Sequence, residues 1–390
     1  MTTEAKPKGG LEDVVATSSA ICYLDGDRGV LAYCGYDIHD LAQKATFEEV
    51  CFLLWHRRLP TRAELGDLHS ALAAGRPLPE AVLRLLRTLP PSNGMDILRT
   101  VSSALAHSDP DADDHSPAAN YRKAVRLTAQ MASLVATYGR LNAGGAPIQP
   151  DPALGHAANF LYMLTGDRPN ATAVRAFDIA LTLHADHELN ASTFAARVTA
   201  ATLSDIHSAI VAGIGALKGP LHGGAPGPAL DLVFAVRASA AASGRPLAAE
   251  AEAAVRAVLA GGGRLMGFGH RVYRVRDPRA DVLGAAAPAL FAGGGDGRLF
   301  DDARVVEQVI LRVLRAHKPD RRLDTNVEFY TALLLHGIGL PAALFTPTFA
   351  LARAGGWTAH VLEQMADNRL IRPSAAYVGP RDGHWPRAAA

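Results

Sequence analysis

A stretch of 24 residues without a charged side chain places the strongest constraint on the fold of this chain. It runs from Phe329 to Ala352 and contains no Asp, Glu, Lys or Arg. Such a length is sufficient to cross a lipid bilayer. However, Pro341 and Pro347 interrupt the stretch, and proline breaks the interior of a helix. We therefore predict two buried helices joined by a turn, and no association with a membrane.

Burying two such helices requires a large core, and the chain is long enough to build one. Its 390 residues correspond to two or three domains at the usual size of about 100 to 200 residues each. Three segments rich in Gly, Pro, Asp or Ser are predicted to be loops, namely 107–120, 142–152 and 292–298. None is long enough to act as a linker between domains.

Most local signals in the rest of the chain are those of helices. Two T-x-x-E capping boxes, Thr46 with Glu49 and Thr61 with Glu64, predict two helix starts near the N-terminus. Gly75 is expected to end the second of these helices.

A further helix is predicted where Ile206, Ile210 and Ile214 share one face after a Ser204 cap. Strand signals are confined to Ile21–Tyr33, which is predicted to form a short hairpin across Asp25-Gly26. The predicted fold class is all-α with a short N-terminal β-hairpin.

Charge and cysteine content exclude several classes of function. The formal net charge is +1, so no basic excess indicates binding to nucleic acid. The three cysteines lie within the first 51 residues without C-x-x-C spacing, which argues against a zinc ribbon and a disulfide framework. Free cysteines, together with the absence of a secretory pattern in Met1–Gly10, predict a cytoplasmic protein. Arginine far outnumbers lysine, which favours a site for small anions.

Histidines in unusual local contexts are the first candidates for chemistry. The contexts are His184-Ala-Asp-His187-Glu188, Gly219-Pro-Leu-His222-Gly-Gly and Gly267-Phe-Gly-His270-Arg-Val. Glycine on either side lets a backbone or a ligand approach an imidazole closely. Each histidine taken alone could instead cap a helix or satisfy a buried carbonyl. Three such contexts in one chain favour a functional site.

Two charged residues stand in apolar surroundings. Glu328 precedes the uncharged stretch, and burying a lone carboxylate costs free energy unless it is paired. It is therefore either a salt-bridged core residue or a catalytic base. Arg353 follows the same stretch, and a buried guanidinium there requires a carboxylate from the protein or from a substrate.

Several common motifs are absent from the sequence. Gly267-Phe-Gly269 lacks the third glycine of a dinucleotide fingerprint, and neither a P-loop nor a G-x-S-x-G elbow occurs. His184 and His187 have a spacing that could hold a metal, which would suit a metal hydrolase. However, H-x-x-H-E matches neither common zinc-protease order, so no metal site is predicted.

Nearly the whole chain resembles the citrate synthase family, which includes 2-methylcitrate synthases. The segments that carry the resemblance most specifically are Leu217-Lys-Gly-Pro-Leu-His-Gly-Gly-Ala, Gly267-Phe-Gly-His-Arg-Val-Tyr, Asp277-Pro-Arg and the His184–Phe194 segment. The family condenses an acyl-CoA with oxaloacetate and then hydrolyses the thioester. The resemblance implies an all-α fold and a homodimer.

The resemblance also assigns three catalytic roles. Glu328 would be the base that removes a C–H proton, His222 would donate to the thioester oxygen, and His270 would donate to the oxaloacetate carbonyl. A donor aimed at a developing enolate stabilises charge that appears only in the transition state. Glycines and Pro220 around His222 place it near a helix start, where the dipole favours a neutral imidazole.

Substrate binding is implied at other positions. The residues expected to bind the oxaloacetate dianion are His187, Arg279, Arg353 and Arg372, the last reaching in from the partner subunit. Arg274 is expected to contact a CoA phosphate, and the backbone at Gly267 and Gly269 to line the CoA site. No permanently bound cofactor is implied, since acyl-CoA is a substrate.

A two-domain arrangement around a cleft is also implied. The large domain would comprise 1–223 and 340–390, and the small domain 224–339 would be inserted between these parts. Closure of the cleft would exclude water until the carbon–carbon bond has formed.

The chain departs from the family pattern at the position of the base, where the usual residue is Asp rather than Glu328. The longer side chain displaces the carboxylate by about one bond length, and a misplacement of ~1 Å can be costly in rate. We expect a citrate synthase that prefers acetyl-CoA. The alternatives are a 2-methylcitrate synthase that uses propionyl-CoA and a non-catalytic paralogue that binds CoA or a dicarboxylate.

Overall fold

Helices form nearly all of the regular structure in the computed structural model of this chain, which describes residues 9–11, 14–224, 226–291 and 296–381. A small three-stranded sheet near the N-terminus is the exception among these residues. The all-α class with a β decoration is therefore confirmed. The helices are α1 Ile38–Lys44, α2 Phe47–His56, α3 Arg62–Gly75, α4 Glu80–Thr88, α5 Gly94–Leu105, α6 Pro117–Asn142, α7 His156–Thr165, α8 Ala171–His184, α9 Ala191–Ala201, α10 Ile206–Leu217, α11 Pro226–Ser243, α12 Leu247–Ala260, α13 Pro278–Ala286, α14 Pro288–Phe291, α15 Leu299–His317, α16 Val327–Gly337 and α17 Phe345–Ala366.

The predicted hairpin is present, with a longer turn than expected. Strands β1 (Cys22–Asp25) and β2 (Val30–Tyr33) pair antiparallel, with Asp25 opposite Val30. A third strand, β3 (Tyr36–Asp37), extends the sheet and was not predicted.

Both capping boxes form as the sequence predicts. Thr46 accepts from the backbone of Glu49, whose carboxylate accepts from Thr46 in return, and α2 begins directly after this cap. Thr61 and Glu64 repeat the arrangement at the start of α3, which ends at Gly75.

The predicted cap of α10 is wrong by one residue. Asp205, not Ser204, caps the helix, since its carboxylate accepts from the backbone N–H of Ser208 at 2.9 Å. The reason is geometric, because a capping side chain must belong to the residue directly before the first helical one, here Ile206. The isoleucines of the predicted face are buried.

The uncharged stretch folds as α16 and the first part of α17, so the prediction of two buried helices joined by a turn is confirmed. The turn contains Gly339, whose φ of 86° is left-handed, and a short 3-10 helix at Ala342–Leu344. Pro347 lies in the first turn of α17, where a missing N–H costs nothing. Among the described residues, no helix has both the length and the apolar character needed to cross a membrane.

Two of the predicted loops are confirmed within the described chain. The segment 107–120 connects α5 to α6, although its last four residues, from Pro117, already belong to α6. The segment 142–152 lies between α6 and α7, apart from Asn142, which is the last residue of α6. In the third, 292–298, residues 292–295 lie outside the described residues, as do residues 1–8 of the N-terminal segment in which no secretory pattern was found. The division into large and small domains stays a prediction.

Helix α17 passes through the core, and one glycine lets it approach the segment after α8. The backbone N–H of Gly356 donates to the Ala185 carbonyl at 3.1 Å. A Cβ at position 356 would overlap that carbonyl oxygen and lie 2.6 Å from Asp186 Oδ1. This close approach fixes α17 against the residues next to His187.

Substituting Gly356→Ala should therefore destabilise the fold. We expect the free energy of unfolding to fall by about 1 to 3 kcal/mol, because the backbone must move to relieve the overlap. Gly66→Ala in the exposed part of α3 is the matched control, since a Cβ there meets no atom within 4 Å and alanine favours the helix by up to about 1 kcal/mol. Urea unfolding measures both variants, and equal stability of the two would contradict the expected clash.

Candidate active site

The loop that carries His270 is bonded to the start of α16. Gly267 and Gly269 adopt φ angles of 87° and 81°, which favour glycine. The Gly267 carbonyl accepts from the backbone N–H of Asn326 at 3.0 Å, and the Gly269 carbonyl accepts from Asn326 Nδ2 at 2.9 Å. These bonds place His270 beside the first turn of the helix that contains Glu328.

His270 is a neutral imidazole with a defined tautomer. Its Nδ1 accepts from the backbone N–H groups of Val272 and Tyr273 at 3.0 and 3.1 Å. A backbone N–H can only donate, so the ring proton must lie on Nε2. Burial and the positive charge of Arg279 lower the pKa of His270 to about 4. The side chain is therefore a neutral Nε2–H donor.

His187 lies next to this ring. The centroids of the His187 and His270 rings are 5.3 Å apart, and His187 Nε2 lies 3.3 Å from the Tyr273 hydroxyl. Burial, followed by the charge of Arg279, lowers the pKa of His187 well below its usual value. It is thus a second neutral histidine at the same site.

His222 is held by the N-terminus of α9. Its Nε2 lies 2.8 Å from Ser192 Oγ and accepts from the Ser192 backbone N–H at 3.3 Å. This leaves the ring proton on Nδ1. Burial, then the charge of Arg353, lowers the pKa of His222 to about 4. The expected neutral imidazole is supported, but the helix start in contact with the ring is that of α9, not that of the helix following His222.

Glu328 lies in the first turn of α16, directly after the cap. Asn326 Oδ1 accepts from the Glu328 backbone N–H at 3.2 Å. The Oε2 atom is shielded from solvent and has no hydrogen-bond partner. Burial raises the pKa of Glu328 to about 7, against the opposing effect of Arg279. Of the two interpretations of this residue, the salt-bridged core residue does not fit, since its carboxylate forms no ion pair within the described chain.

Arg279 and Asp277 form a buried pair. Nε and Nη2 of Arg279 donate to the two carboxylate oxygens of Asp277 at 3.0 and 2.8 Å. Asp277 also accepts from the Val327 backbone N–H at 3.2 Å. One carboxylate therefore orients the arginine and binds the start of α16.

Arg353 has spare hydrogen-bonding capacity. Its Nε donates to the His184 carbonyl at 2.7 Å, and its guanidinium lies 4.9 Å from the centroid of the Phe349 ring. The Nη1 atom is buried without a partner. No carboxylate of the described chain forms an ion pair with it.

Arg274 and Arg372 lie apart from this cluster. The Arg274 side chain is 82% exposed and contacts Asp27 at 3.3 Å. Arg372 is exposed on the extended segment that follows α17. In a single chain the structure brings together His187, His222, His270, Arg279, Glu328 and Arg353, but not these two arginines.

The metal-hydrolase alternative has no support in the geometry. His184 Nδ1 lies 2.7 Å from the Ala180 carbonyl, and its Nε2 lies 3.1 Å from Thr331 Oγ1. Both ring nitrogens are thus occupied by the protein. No group of three or more His, Cys, Asp or Glu side chains in the described ranges could hold a metal ion. The arrangement suits binding a dianion and removing a proton from carbon.

Sequence reasoning missed two residues that orient the site. Asp277 precedes a proline at the first position of α13, a capping pattern that could have been recognised. No comparable local signal exists for the contact between Ser192 and His222, which are 30 residues apart.

Comparison with known proteins gives matches over nearly the whole chain. The family model described as "Citrate synthase, C-terminal domain" matches residues 10–374. A protein named citrate synthase from Haloferax volcanii is 46% identical over 96% of this chain and 96% of its own. One named 2-methylcitrate synthase from Mycobacterium tuberculosis is 41% identical over 97% of this chain and 92% of its own. The crystal structure of citrate synthase from Thermoplasma acidophilum, a ternary complex with carboxymethyl coenzyme A and oxaloacetate, has a TM-score of 0.88 at 30% identity and covers 97% of this chain and 98% of that one.

The raised pKa of Glu328 predicts a pH-dependent cost to the fold. A carboxyl whose folded pKa of about 7 exceeds its usual 4.5 destabilises the protein once it ionises, so stability falls as the pH rises from about 4.5 through 7. Glu328→Gln should therefore raise the free energy of unfolding at pH 8 by about 3 kcal/mol and change it little at pH 4.5. Urea unfolding at both pH values measures the difference. Glu80→Gln, at an exposed position at the start of α4, is the control, and the same small effect in both variants at pH 8 would contradict the assignment.

Proposed function

Since the chain belongs to the citrate synthase family, we propose that it condenses an acyl-CoA with oxaloacetate and hydrolyses the resulting thioester. It is an acyltransferase of the condensing type, and its preferred acyl donor is acetyl-CoA. The observation that carries the proposal is the shielded, unpartnered carboxyl of Glu328, whose pKa is raised to about 7. A carboxylate with that pKa is suited to accept a proton from carbon near neutral pH.

The first step is removal of a proton from the methyl carbon of the acyl group. The Glu328 carboxylate accepts that proton, and the electron pair of the C–H bond moves toward the thioester oxygen. The Nδ1–H of His222 donates to that oxygen. A neutral donor aimed at the developing enolate stabilises charge that is absent from the ground state.

The second step forms the carbon–carbon bond. The enolate carbon attacks the keto carbon of oxaloacetate, and the keto oxygen takes the electron pair of the C=O bond. The Nε2–H of His270 donates to this oxygen and transfers the proton as the alkoxide forms, and the proton that Glu328 accepted in the first step later restores the neutral His270. Water then attacks the thioester, the C–S bond breaks, and the thiol of CoA leaves with a proton. The products are citrate and free CoA.

Oxaloacetate requires two cationic partners for its two carboxylates. Arg353 offers an unpaired Nη1, and Arg279 is held in one orientation by Asp277. His187 lies next to His270, is affected by the charges of both arginines, and adds a neutral hydrogen-bonding group. Clamping both carboxylates fixes the keto carbon for attack, which is the proximity contribution to catalysis.

Two further binding roles extend beyond the single-chain cluster. Arg274 is exposed, as a contact for a CoA phosphate should be, and the backbone at Gly267 and Gly269 lines the CoA site. Arg372 completes the oxaloacetate site from the partner subunit of a homodimer, which accounts for its distance from the cluster in one chain.

Residues 224–339 form the small domain that closes over the cleft. The protein is cytoplasmic, in keeping with its three free cysteines.

We infer a preference for acetyl-CoA over propionyl-CoA from the relatives. The protein named citrate synthase is more similar to this chain than the one named 2-methylcitrate synthase. The margin is modest, since one methylene in a pocket is worth only about 1 to 3 kcal/mol.

The non-catalytic alternative rests on Glu328 in place of Asp. It predicts binding of CoA or a dicarboxylate in calorimetry without turnover.

Release of the CoA thiol tests this function directly. With oxaloacetate and acetyl-CoA, we expect thiol release whose rate rises through pH 7 as Glu328 ionises, and a slower rate with propionyl-CoA. Glu328→Gln should lower kcat by at least about 100-fold, because the amide cannot accept the proton. The control is Glu80→Gln, which should retain the parental rate. No thiol release with either acyl-CoA between pH 6 and 9 would refute the proposal, and binding without release would favour the non-catalytic alternative.

Mixing two inactive variants tests the role of Arg372 across the interface. Glu328→Gln and Arg372→Ala subunits are each expected to form inactive homodimers. In a mixed dimer, the intact Glu328 of one subunit meets the intact Arg372 of the other, so one of the two sites is restored. Random mixing in equal amounts should give about a quarter of the parental activity. Thiol release after joint refolding measures this. No recovery would place Arg372 in its own subunit's site, and an active Arg372→Ala homodimer would place it outside the site.

A further inference from the structure

A buried carboxylate on α15 gathers donors from both segments that carry the candidate site. Glu307 is 6% exposed. Its Oε1 accepts from Arg276 Nη1 at 2.7 Å and from Thr325 Oγ1 at 2.6 Å, and its Oε2 accepts from the Tyr330 hydroxyl at 2.6 Å. Three donors from two separate parts of the chain therefore converge on one side chain.

Each of these donors lies next to a residue with a proposed role. Arg276 directly precedes Asp277, the residue that orients Arg279. Thr325 directly precedes Asn326, the cap of α16, and Tyr330 is two residues after Glu328 in the same helix. Glu307 thus binds two segments of the site. One contains Arg279, which is proposed to bind oxaloacetate, and the other is the first turn of α16, which contains Glu328.

The two bound segments also contact each other. The Asp277 backbone N–H donates to the Thr325 carbonyl at 3.3 Å, and the Arg276 guanidinium lies 5.5 Å from the centroid of the Tyr330 ring. Arg276 balances the charge of Glu307 and also pairs with Asp281. The cluster is therefore fully paired, and Glu307 itself faces none of the groups proposed to touch substrate.

We propose that Glu307 is a positioning residue for the condensation, which holds Arg279 and the Glu328 carboxylate at a fixed separation. This inference rests on the proposed function. A shift of ~1 Å in the base or the clamp is costly in rate. Loss of the Glu307 charge should therefore act on turnover through Glu328, beyond any loss of stability.

A second buried carboxylate provides a matched control. Glu250 on α12 is 8% exposed and, like Glu307, accepts from two hydroxyls and pairs with one arginine. Its partners are Ser239, Ser243 and Arg245. None of them adjoins a residue of the candidate site. Glu250→Gln and Glu307→Gln therefore remove the same kind of buried charge. Only the Glu307 carboxylate lies beside the candidate site.

The experiment compares kcat, KM for oxaloacetate and the pH profile of thiol release in full-length variants of known folded fraction. For Glu307→Gln we expect kcat per folded molecule to fall about 10- to 100-fold. The acid limb should move to higher pH, because a displaced Glu328 loses the effect of Arg279, which opposes those of burial and Asp277 on its pKa. Glu250→Gln should keep the parental kcat and acid limb, whatever stability it loses.

Tyr330→Phe keeps the inference testable if Glu307→Gln does not fold. It removes one donor and retains the ring beside Arg276, and we expect a smaller fall in kcat with the same direction of shift in the acid limb. A parental kcat and acid limb in both variants, or in Tyr330→Phe alone where the other does not fold, would overturn the inference. A parent protein without any thiol release would instead overturn the proposed function, and this inference with it.

Discussion

The arrangement of the site depends on the carboxylate of Asp277. This side chain is 1% exposed, so its charge would be costly without partners. It receives two bonds from the Arg279 guanidinium and one each from the backbone N–H groups of Arg279 and Val327. These bonds hold the Arg279 guanidinium in one orientation, and its charge still acts on Glu328, His187 and His270. The site also presents Arg353, a cation that lacks a carboxylate, next to a carboxyl that is poised to lose its proton.

The positive charges of Arg279 and Arg353 also help to keep the nearby histidines neutral. His187 is buried and His222 and His270 are partly buried. Desolvation and neighbouring guanidinium charges both lower the pKa values of these three histidines. For His222 and His270, backbone N–H donors then decide which ring nitrogen keeps the proton. The two rings use opposite nitrogens as donors, Nδ1 in His222 and Nε2 in His270. Two proton donors are therefore oriented by the fold before any substrate binds, which removes a reorganisation cost from the reaction.

The parts of this structure that the sequence predicts are those with local causes. A capping box needs only four consecutive residues, and Thr46 and Thr61 cap their helices as predicted. The cap of α10 differs by one residue from the prediction because Ser204 and Asp205 are both good caps, and only Asp205 directly precedes the first helical residue. The contacts of Asp277 with Val327 and of Ser192 with His222 join residues 50 and 30 positions apart. No local pattern encodes such contacts, so the resemblance could name His222 and Glu328 but not the residues that orient them.

Hydrogen bonding distinguishes the carboxylates with a structural role in this fold from the carboxylate proposed to act as the base. Glu307 and Glu250 are buried, and each is fully engaged by hydroxyl and arginine donors. In Glu328, by contrast, the shielded Oε2 has no hydrogen-bond partner, and burial raises the pKa of the carboxyl to about 7. A protein selected only for stability would pair or replace such a group, because an unsatisfied buried carboxyl lowers stability at every pH at which it ionises. Its persistence beside an arginine with an unpaired Nη1 is explained if the missing partners are the reacting molecules: a C–H proton for Glu328 and a carboxylate for Arg353.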